Sequence, residues 1–293
     1  MRNIFKGIKG IKIMINEPLK SYTSFKIGGN ALCFIKTYNQ KALLETMKVI
    51  KRYKLRYLII GEGTNILFHD HGFNGIVIKL MGDFKRIRNC ENRFMCGAGV
   101  SIKNFLNKTM KESYGSAEFL AGIPGSIGGA VKGNAGAFGH SISEIVEQVI
   151  ILDSKLVKRI IPRDKILFKY RYSNIPEKAI IMAVELNMRR YSRKVIEEKI
   201  KNYLKTRWEK QPKGFSAGSF FKNPLPLSAG QLIEECGLKG MRIGDASVSE
   251  KHANFIINLG RAKARDVIRL MKIVKERVKK IKGINLKPEV RIV

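Results

Sequence analysis

The 293 residues include 56 Lys and Arg against 24 Asp and Glu, which gives a formal net charge of +32. A chain of this length has room for two or three domains and a large core, and its 44% hydrophobic and 27% charged residues are typical of a soluble globular protein. No stretch is apolar for long enough to span a bilayer. Lysines interrupt any signal-peptide core near the N-terminus, so the sequence predicts a cytoplasmic protein.

Basic residues run along the whole chain, without a dense block or an aromatic-interleaved RNA-binding motif. A positive charge of this size attracts anions of many kinds, whereas nucleic-acid recognition is marked by basic residues that cluster on one face. We therefore expect a solvated basic surface and no nucleic-acid partner. Of the three functions that we consider for this chain, nucleic-acid binding is the one that the sequence supports least.

The four cysteines, at positions 33, 90, 96 and 236, form no C-x-x-C pair and have no histidine at zinc-ligand spacing. They are predicted to be reduced, partly buried thiols of a cytosolic protein. His69 and His71 lie in a loop rich in Gly, Asp and Asn, which favours a surface turn. No metal site is expected.

Residues 1–19 predict a helix, because Ile4, Ile8, Ile11 and Ile15 recur at helical spacing. A helix over residues 40–53 and a buried strand over residues 57–60 follow. The strand runs into a glycine-rich turn, residues 61–65, of the kind in which backbone amides bind phosphates. Residues 75–80 are again strand-like, which argues against a Rossmann unit.

Residues 121–137 are mostly glycine and alanine and contain no acid. This glycine run has almost no side chain to bury, but it lets a ligand approach bare backbone, and consecutive exposed N–H donors suit a diphosphate. A tight crossing of two chain segments also selects glycine; for a run this long we favour the ligand. A strand from Arg93, a Gly97-Ala98-Gly99 turn and a helix over 101–113 capped by Ser101 precede the run.

The remaining segments mix strands and helices without strict alternation, which predicts an α+β protein. We expect strands over residues 145–153, 156–161, 179–188, 254–258 and 285–293, helices over 192–210, 229–236 and 262–281, a polar-aromatic turn over 170–173 and a loop over 214–227. The helix over 192–210 is a charged connector between domains.

Eight stretches together resemble the UDP-N-acetylenolpyruvoylglucosamine reductases of peptidoglycan synthesis. They are residues 23–31, 61–67, 121–139, 170–173, 218–224, 229–240, 251–258 and 288–293. They occur in the family's order and cover nearly the whole chain beyond residue 20. Roughly fifty residues separate Arg171 from Ser219, which is similar to the shorter of the family's two types, without an extra substrate-covering insertion.

The resemblance implies an α+β fold in which a two-subdomain FAD-binding fold of the vanillyl-alcohol-oxidase type precedes a C-terminal α+β substrate-binding domain. The FAD-binding subdomains would be residues 1–80, joined by the C-terminal strand 285–293, and residues 81–190; the substrate-binding domain would be residues 205–284. NADPH would reduce non-covalent FAD, and the enolpyruvyl ether of a nucleotide sugar would become the lactyl ether of UDP-N-acetylmuramate. The protein is expected to be a monomer or a weak oligomer.

The resemblance also assigns residues to the flavin. Backbone amides of the 61–65 turn and of the glycine run would hold the diphosphate, and the end of the run would lie near the flavin ring. The full set is Gly61, Glu62, Gly63, Thr64, Asn65, Gly122, Ile123, Pro124, Gly125, Ser126, Gly128, Gly129, Ala130, Asn134, Gly136 and Ala137. Glu62 is unexpected there, because an acid repels a diphosphate unless its side chain points away.

Three residues would act on the substrate. Hydride addition to the carbon–carbon double bond builds negative charge on the neighbouring carboxylate, as an enolate. Arg171 would bind that carboxylate and stabilise the charge, because a guanidinium grips a carboxylate with two hydrogen bonds. Glu289 would assist in its protonated form, favoured by burial. Ser219 would donate the proton to carbon, and its hydroxyl is always protonated at neutral pH.

Four further residues are expected to bind the substrate: Tyr170, Lys222, Asn223 and Gln231. One position departs from the family pattern. Lys287 stands two residues before Glu289, where an acid is expected, and a lysine there would disfavour the protonated carboxyl.

The alternative to the reductase is an oxidase that has the same FAD-binding fold. Related FAD-binding folds serve oxidases, and a covalent flavin bond through His or Cys would mark them. His140 is close enough to the glycine run to be considered, although the resemblance implies a non-covalent site.

Overall fold

The computed structural model describes residues 1–293. Its six α-helices are α1 (Gln40–Arg52), α2 (Ile102–Lys111), α3 (Ile127–Lys132), α4 (Arg193–Lys210), α5 (Ala229–Glu235) and α6 (Ala264–Lys282). Its strands are β1 (Ile11–Pro18), β2 (Asn30–Thr37), β3 (Tyr57–Ile60), β4 (Ile66–Leu67), β5 (Phe73–Leu80), β6 (Ile87–Cys90), β7 (Arg93–Gly97), β8 (Tyr114–Gly115), β9 (Gly136–Ala137), β10 (His140–Ser141), β11 (Val146–Leu152), β12 (Lys158–Pro162), β13 (Phe168–Lys169), β14 (Tyr172–Ser173), β15 (Ile180–Asn187), β16 (Arg189–Arg190), β17 (Arg242–Ile243), β18 (Ala246–Val248), β19 (Ile256–Asn258) and β20 (Arg291–Ile292). Short 3₁₀ helices cover Arg2–Phe5, Leu19–Tyr22, Gly82–Lys85, Glu118–Leu120, Ile142–Glu144 and Arg163–Lys165.

Five of the six helices predicted from the sequence are present, those beyond residue 19, and each begins and ends within two residues of its expected bounds. Side-chain caps explain this agreement at two of them. The side chain of Asn39 accepts a hydrogen bond from the amide of Ala42 at the start of α1, and Ser101 accepts one from the amide of Asn104 at the start of α2. None of the helices is both long and apolar enough to cross a membrane.

The predicted N-terminal helix is wrong. A 3₁₀ helix covers Arg2–Phe5 and strand β1 covers Ile11–Pro18, next to β2 in a four-stranded sheet. Pairing within this sheet outweighs the helical spacing of the isoleucines, because tertiary context overrides a local pattern. The C-terminal strand is also shorter than predicted, since only Arg291–Ile292 are strand within residues 285–293, and β19 begins at Ile256 rather than at residue 254.

The chain divides into two compact units. Unit 1 comprises Met1–Ile15, Cys33–Glu62 and Gly75–Thr206. It contains the four-stranded sheet of order β1-β2-β5-β3 and a five-stranded sheet of order β12-β11-β15-β7-β6, whose neighbouring strands are antiparallel. One hydrophobic core, with α1 and α2 contributing their buried faces, packs these elements together.

Unit 2 comprises Asn16–Leu32, Gly63–Asn74 and Arg207–Val293. A small antiparallel sheet of order β17-β18-β19 packs with α5 and α6, and β20 pairs in parallel with β4. The core of this unit draws Phe25, Ile27 and Leu67 from the early segments and the remaining side chains from the C-terminal segment. Gly283, at φ +70, ends α6 in the left-handed conformation.

All four cysteines are free. Cys33 and Cys96 are buried, Cys236 is half-buried and Cys90 is exposed. Burial raises the pKa of the Cys33 thiol to about 11 and that of the Cys96 thiol to about 12. Both buried thiols are therefore fully protonated at neutral pH and act as small apolar core residues.

Candidate active site

Part of the glycine run folds as helix α3. Ser126 caps the helix by accepting a hydrogen bond from the amide of Gly129. Ile127 and Val131 bury their side chains in the core of unit 1. The amides of Ile127 and Gly128 donate to the carbonyls of Val100 and Ala98, which fixes the start of α3 against the Gly97-Ala98-Gly99 turn.

Gly128 is required by a close crossing of two segments. A Cβ atom at this position would lie 2.7 Å from the Cβ of Ala98 and 3.0 Å from its carbonyl oxygen. Gly61, at the end of β3, has a similar constraint, since its Cβ would lie 2.5 Å from the hydroxyl oxygen of Ser126. A tight crossing of two chain segments, rather than ligand binding, therefore accounts for glycine at these two positions.

Gly128→Ala is expected to lower the free energy of unfolding by about 1–3 kcal/mol, because the new methyl group collides with Ala98 and the helix start must shift. FAD retention should fall with it. Gly133→Ala is the matched control, since a Cβ there meets only the carbonyl of Gly129 at 3.6 Å. Denaturant unfolding measures the stability of both variants. Equal free energies of unfolding for Gly128→Ala and Gly133→Ala would contradict the close contact between Gly128 and Ala98.

Two other glycines of the run leave backbone donors available. Gly122 and Gly125 have φ values of +75° and +145°, which favour glycine. Neither of their amides donates to a backbone carbonyl. Amide donors at glycines, which no side chain of their own shields, fit an anionic group such as a diphosphate.

Glu62 lies in the turn after β3, and lysines neutralise its charge. Its Oε2 is 3.2 Å from the ammonium of Lys79, and its Oε1 is 3.5 Å from that of Lys85. The carboxylate is therefore engaged by cations on both oxygens. The two ion pairs explain how an acid is tolerated in the 61–65 turn. The spacing of residues in the sequence does not reveal these lysine partners.

Arg171 lies at the tip of a hairpin formed by β13 and β14, and the hairpin is attached to the glycine run. The Nη1 of Arg171 donates to the carbonyl of Gly136 at 3.2 Å, and the hydroxyl of Ser173 donates to the carbonyl of Lys132 at 2.8 Å. Asn134, which is buried, donates from Nδ2 to the carbonyl of Lys169 at 3.0 Å. Unit 1 thus brings Arg171, Asn134 and Gly136 together.

Two aromatic positions near this hairpin have defined partners. The ring of Tyr170 is exposed and lies under the guanidinium of Arg171, 5.4 Å from its centroid. The Nδ1 of His140 is 2.8 Å from Glu144, and its imidazole is 5.6 Å from the ring of Phe119.

Ser219 and Glu289 lie on neighbouring extended segments of unit 2. The amide of Glu289 donates to the carbonyl of Phe220 at 2.8 Å, and the amide of Lys222 donates to the carbonyl of Lys287 at 2.9 Å. Both Ser219 and Glu289 are half-buried, whereas Phe220 is fully buried. The side chain of Asn65 donates to the carbonyl of Glu289 at 3.1 Å, so the 61–65 turn also contacts this segment.

Asn254 holds the Ser219 segment in place, and it was not singled out from the sequence. Its side chain accepts from the amide of Phe221 at 2.9 Å and donates to the carbonyl of Phe221 at 2.8 Å, while its own carbonyl accepts from the amide of Phe220. The amide of Asn254 donates to Nδ1 of His252. Burial lowers the pKa of His252, which keeps this nitrogen available as an acceptor at neutral pH.

The remaining substrate-binding predictions fall at different places in unit 2. Lys222 and Asn223 continue the Ser219 segment and are half-buried, and the Oδ1 of Asn223 accepts from the amide of Ala229 at 3.0 Å. Gln231 is exposed on α5 and donates to Glu235. Lys287 is exposed, and its carbonyl takes part in the pairing described above.

Comparison with known proteins decides the family. Residues 210–293 match a model of the UDP-N-acetylenolpyruvoylglucosamine reductase C-terminal domain, and residues 31–155 match an FAD binding domain. A UDP-N-acetylenolpyruvoylglucosamine reductase from Syntrophus aciditrophicus is 39% identical over 286 residues, which cover 96% of this chain and 92% of the relative. The chain belongs to the UDP-N-acetylenolpyruvoylglucosamine reductase family.

Further members support this assignment. A UDP-N-acetylenolpyruvoylglucosamine reductase from Desulforamulus reducens is 38% identical over 97% of this chain and 94% of its own. The crystal structure of the reductase from Thermus caldophilus superposes with a TM-score of 0.83 at 32% identity, covering 96% of this chain and 98% of that one.

Several predictions from the sequence are thereby confirmed. The family, the α+β fold with its FAD-binding part, and an FAD-dependent oxidoreductase of peptidoglycan synthesis all agree with the comparisons. The expected domain bounds and the roles of single residues stay predictions.

Proposed function

We propose that this member of the UDP-N-acetylenolpyruvoylglucosamine reductase family reduces the enolpyruvyl group of UDP-N-acetylglucosamine enolpyruvate to the lactyl ether of UDP-N-acetylmuramate, with NADPH as the hydride donor. The pairing between the Ser219 and Glu289 segments carries the proposal. It brings a hydroxyl-bearing and a carboxyl-bearing residue onto adjacent backbones, joined by the bond from the Glu289 amide to the Phe220 carbonyl.

When bound, FAD would supply the hydride transfer between NADPH and the substrate. The Gly61–Asn65 turn and residues 122–130 of the glycine run would hold its diphosphate through backbone amides. Asn134, Gly136 and Ala137 would lie near the flavin ring. The residues named here are those that the family resemblance assigns, and the available amides of Gly122 and Gly125 support the assignment.

The protein side chains provide binding, charge stabilisation and the proton. Arg171 binds the substrate carboxylate and stabilises the enolate charge that hydride addition to the methylene carbon produces. Glu289, in its protonated form, donates a hydrogen bond to the same charge. Ser219 gives its hydroxyl proton to the carbon that bears the ether oxygen, and the serine regains a proton from solvent.

The nucleotide part of the substrate is assigned to unit 2. Lys222, Asn223 and Gln231 bind it, and the family resemblance also assigns Tyr170 to substrate binding. Residues 205–284 form the substrate-binding domain, and residues 1–80 with 285–293 and residues 81–190 form the two FAD-binding subdomains. The protein acts in the cytoplasm as a monomer or weak oligomer, a setting that its four free thiols support.

Anaerobic visible spectroscopy of the purified protein tests the reaction. The flavin spectrum should bleach with NADPH and return on addition of UDP-N-acetylglucosamine enolpyruvate, whereas UDP-N-acetylglucosamine, which lacks the double bond, should leave it bleached. Titration with NADH in parallel measures the nicotinamide preference. A protein that neither contains nor takes up FAD would exclude the proposal, and re-oxidation by oxygen alone with an inert substrate would favour the oxidase chemistry.

A further inference from the structure

Glu62 and two lysines form one charged cluster within unit 1. Lys79 and Lys85 each contact a different oxygen of the carboxylate, so two cations surround one anion. The Lys79 side chain is only 12% exposed, against 37% for Lys85. The Glu62 carboxylate offsets part of the hydration that the Lys79 ammonium loses on burial.

The sheet explains why Lys79 reaches this turn. Strands β3 and β5 are parallel, and Ile60 is paired with Lys79 at the end of the ladder. The carboxyl ends of parallel strands lie at the same edge of a sheet. Lys79 therefore stands beside the residues that directly follow Ile60, namely Gly61 and Glu62.

Lys85 comes from the 3₁₀ helix Gly82–Lys85, whose position is fixed. Gly82 has φ +55°, and a Cβ there would lie 2.3 Å from the carbonyl oxygen of Tyr38. The amide of Asp83 also donates to that carbonyl. Both lysines are thus delivered to Glu62 by well-defined backbone, one from a strand and one from a helical turn.

We propose that the Lys79–Glu62–Lys85 cluster sets the affinity for FAD by holding a net charge of +1 behind the turn that binds the diphosphate. This proposal rests on the proposed assignment of the diphosphate to residues 61–65 and 122–130. Glu62 fixes the two ammonium groups in place, and its own negative charge offsets one of them. FAD affinity then follows the net charge of the cluster, since all three groups act on the diphosphate through space.

A ladder of charge variants tests this relation in the full-length holoprotein. FAD release on dilution is followed by flavin fluorescence to obtain a dissociation constant. Lys79→Met and Lys85→Met each lower the cluster charge to zero and should weaken FAD binding about three- to tenfold. Glu62→Gln raises the charge to +2 and should tighten binding by a similar factor. The double variant Lys79→Met/Glu62→Gln restores +1 and should return to within about twofold of the wild-type protein.

Two comparisons separate this role from a purely structural one. The differences should shrink at high salt, since exposed and half-buried charges are screened, and thermal unfolding of the exposed Lys85→Met variant should stay close to wild type. Lys239→Met and Glu234→Gln change the net charge of the protein equally at a Lys–Glu pair of unit 2 and should leave FAD release unchanged.

The outcomes are distinguishable. Weaker FAD binding by Glu62→Gln would overturn the electrostatic role, and so would a double variant that binds FAD no more tightly than Lys79→Met. The Lys79–Glu62 ion pair would then have a structural role only. Affinities within twofold of one another across the ladder would overturn it as well. In both cases a wild-type protein that binds FAD and reduces the enolpyruvyl sugar would keep the proposed function intact, whereas a wild-type protein without FAD would remove both.

Discussion

Ser219→Ala is expected to lower turnover of the enolpyruvyl nucleotide sugar by about 10²–10⁴-fold, the range typical of a lost general acid. The hydroxyl is the proposed proton donor to carbon, and alanine offers no replacement. Reduction of the flavin by NADPH should be unaffected, because that half of the reaction needs no proton at the substrate. Stopped-flow spectroscopy of the two half-reactions separates the effects.

The Ser219 variant has a matched control in the same unit. Ser247→Ala removes a hydroxyl that bonds only to the neighbouring carbonyl of Val248, and it should leave both half-reactions unchanged. Retention of FAD and an unchanged unfolding midpoint would show that Ser219→Ala keeps the fold, since the backbone of the segment is held by Asn254 rather than by the serine hydroxyl. Re-oxidation by substrate within threefold of the wild-type rate would assign the proton to another group.

Arg171→Ala is expected to slow substrate reduction by about 10²–10³-fold, as loss of a group that stabilises a developing oxyanion does in other enzymes. KM should rise as well, because the two-pronged contact with the substrate carboxylate is lost. Arg171→Lys keeps the charge without the planar fork and should fall between the two proteins. Steady-state kinetics with NADPH held saturating gives both parameters.

Arg163→Ala controls for the structural part of the Arg171 effect. Arg163 also donates to backbone carbonyls, those of Ser143 and Ile166, and its guanidinium lies 4.9 Å from the ring centroid of Phe168 in the same hairpin. The Arg163→Ala substitution therefore loosens the hairpin without removing the proposed contact between Arg171 and the substrate carboxylate. A loss in Arg163→Ala as large as in Arg171→Ala would assign the effect to hairpin packing instead of charge.

The sequence predicts the elements that local chemistry determines. Helices α1 and α2 combine an apolar face with a capping residue, Asn39 or Ser101, and both are found within two residues of their expected bounds. The strand before Gly61 is also found where it is expected, because a short run of apolar residues ends there at a glycine-rich turn.

What the sequence misses depends on partners distant along the chain. The isoleucines of residues 1–19 have helical spacing, yet β1 joins a sheet whose other strands lie elsewhere in the sequence. Lys79 reaches Glu62 only through the register of β3 with β5, and Asn254 reaches Phe220 and Phe221 across more than thirty residues. No local pattern encodes these contacts, so neither the counter-ions of Glu62 nor the clamp of the Ser219 segment could be predicted.

Unit 2 is assembled from three separate pieces of chain, and this has a consequence for how the protein is made. The hydroxyl of Ser24 donates to the carbonyl of Ser216, Asn258 donates to the carbonyl of Phe25, and the amide of His69 donates to the carbonyl of Val293. The apolar side chains of segments synthesised early therefore stay uncovered until the segment over residues 217–290 has been made. A fragment over residues 210–293 lacks Phe25, Ile27 and Leu67 of its own core, and thus the C-terminal part cannot be separated from the first quarter of the chain without opening that core.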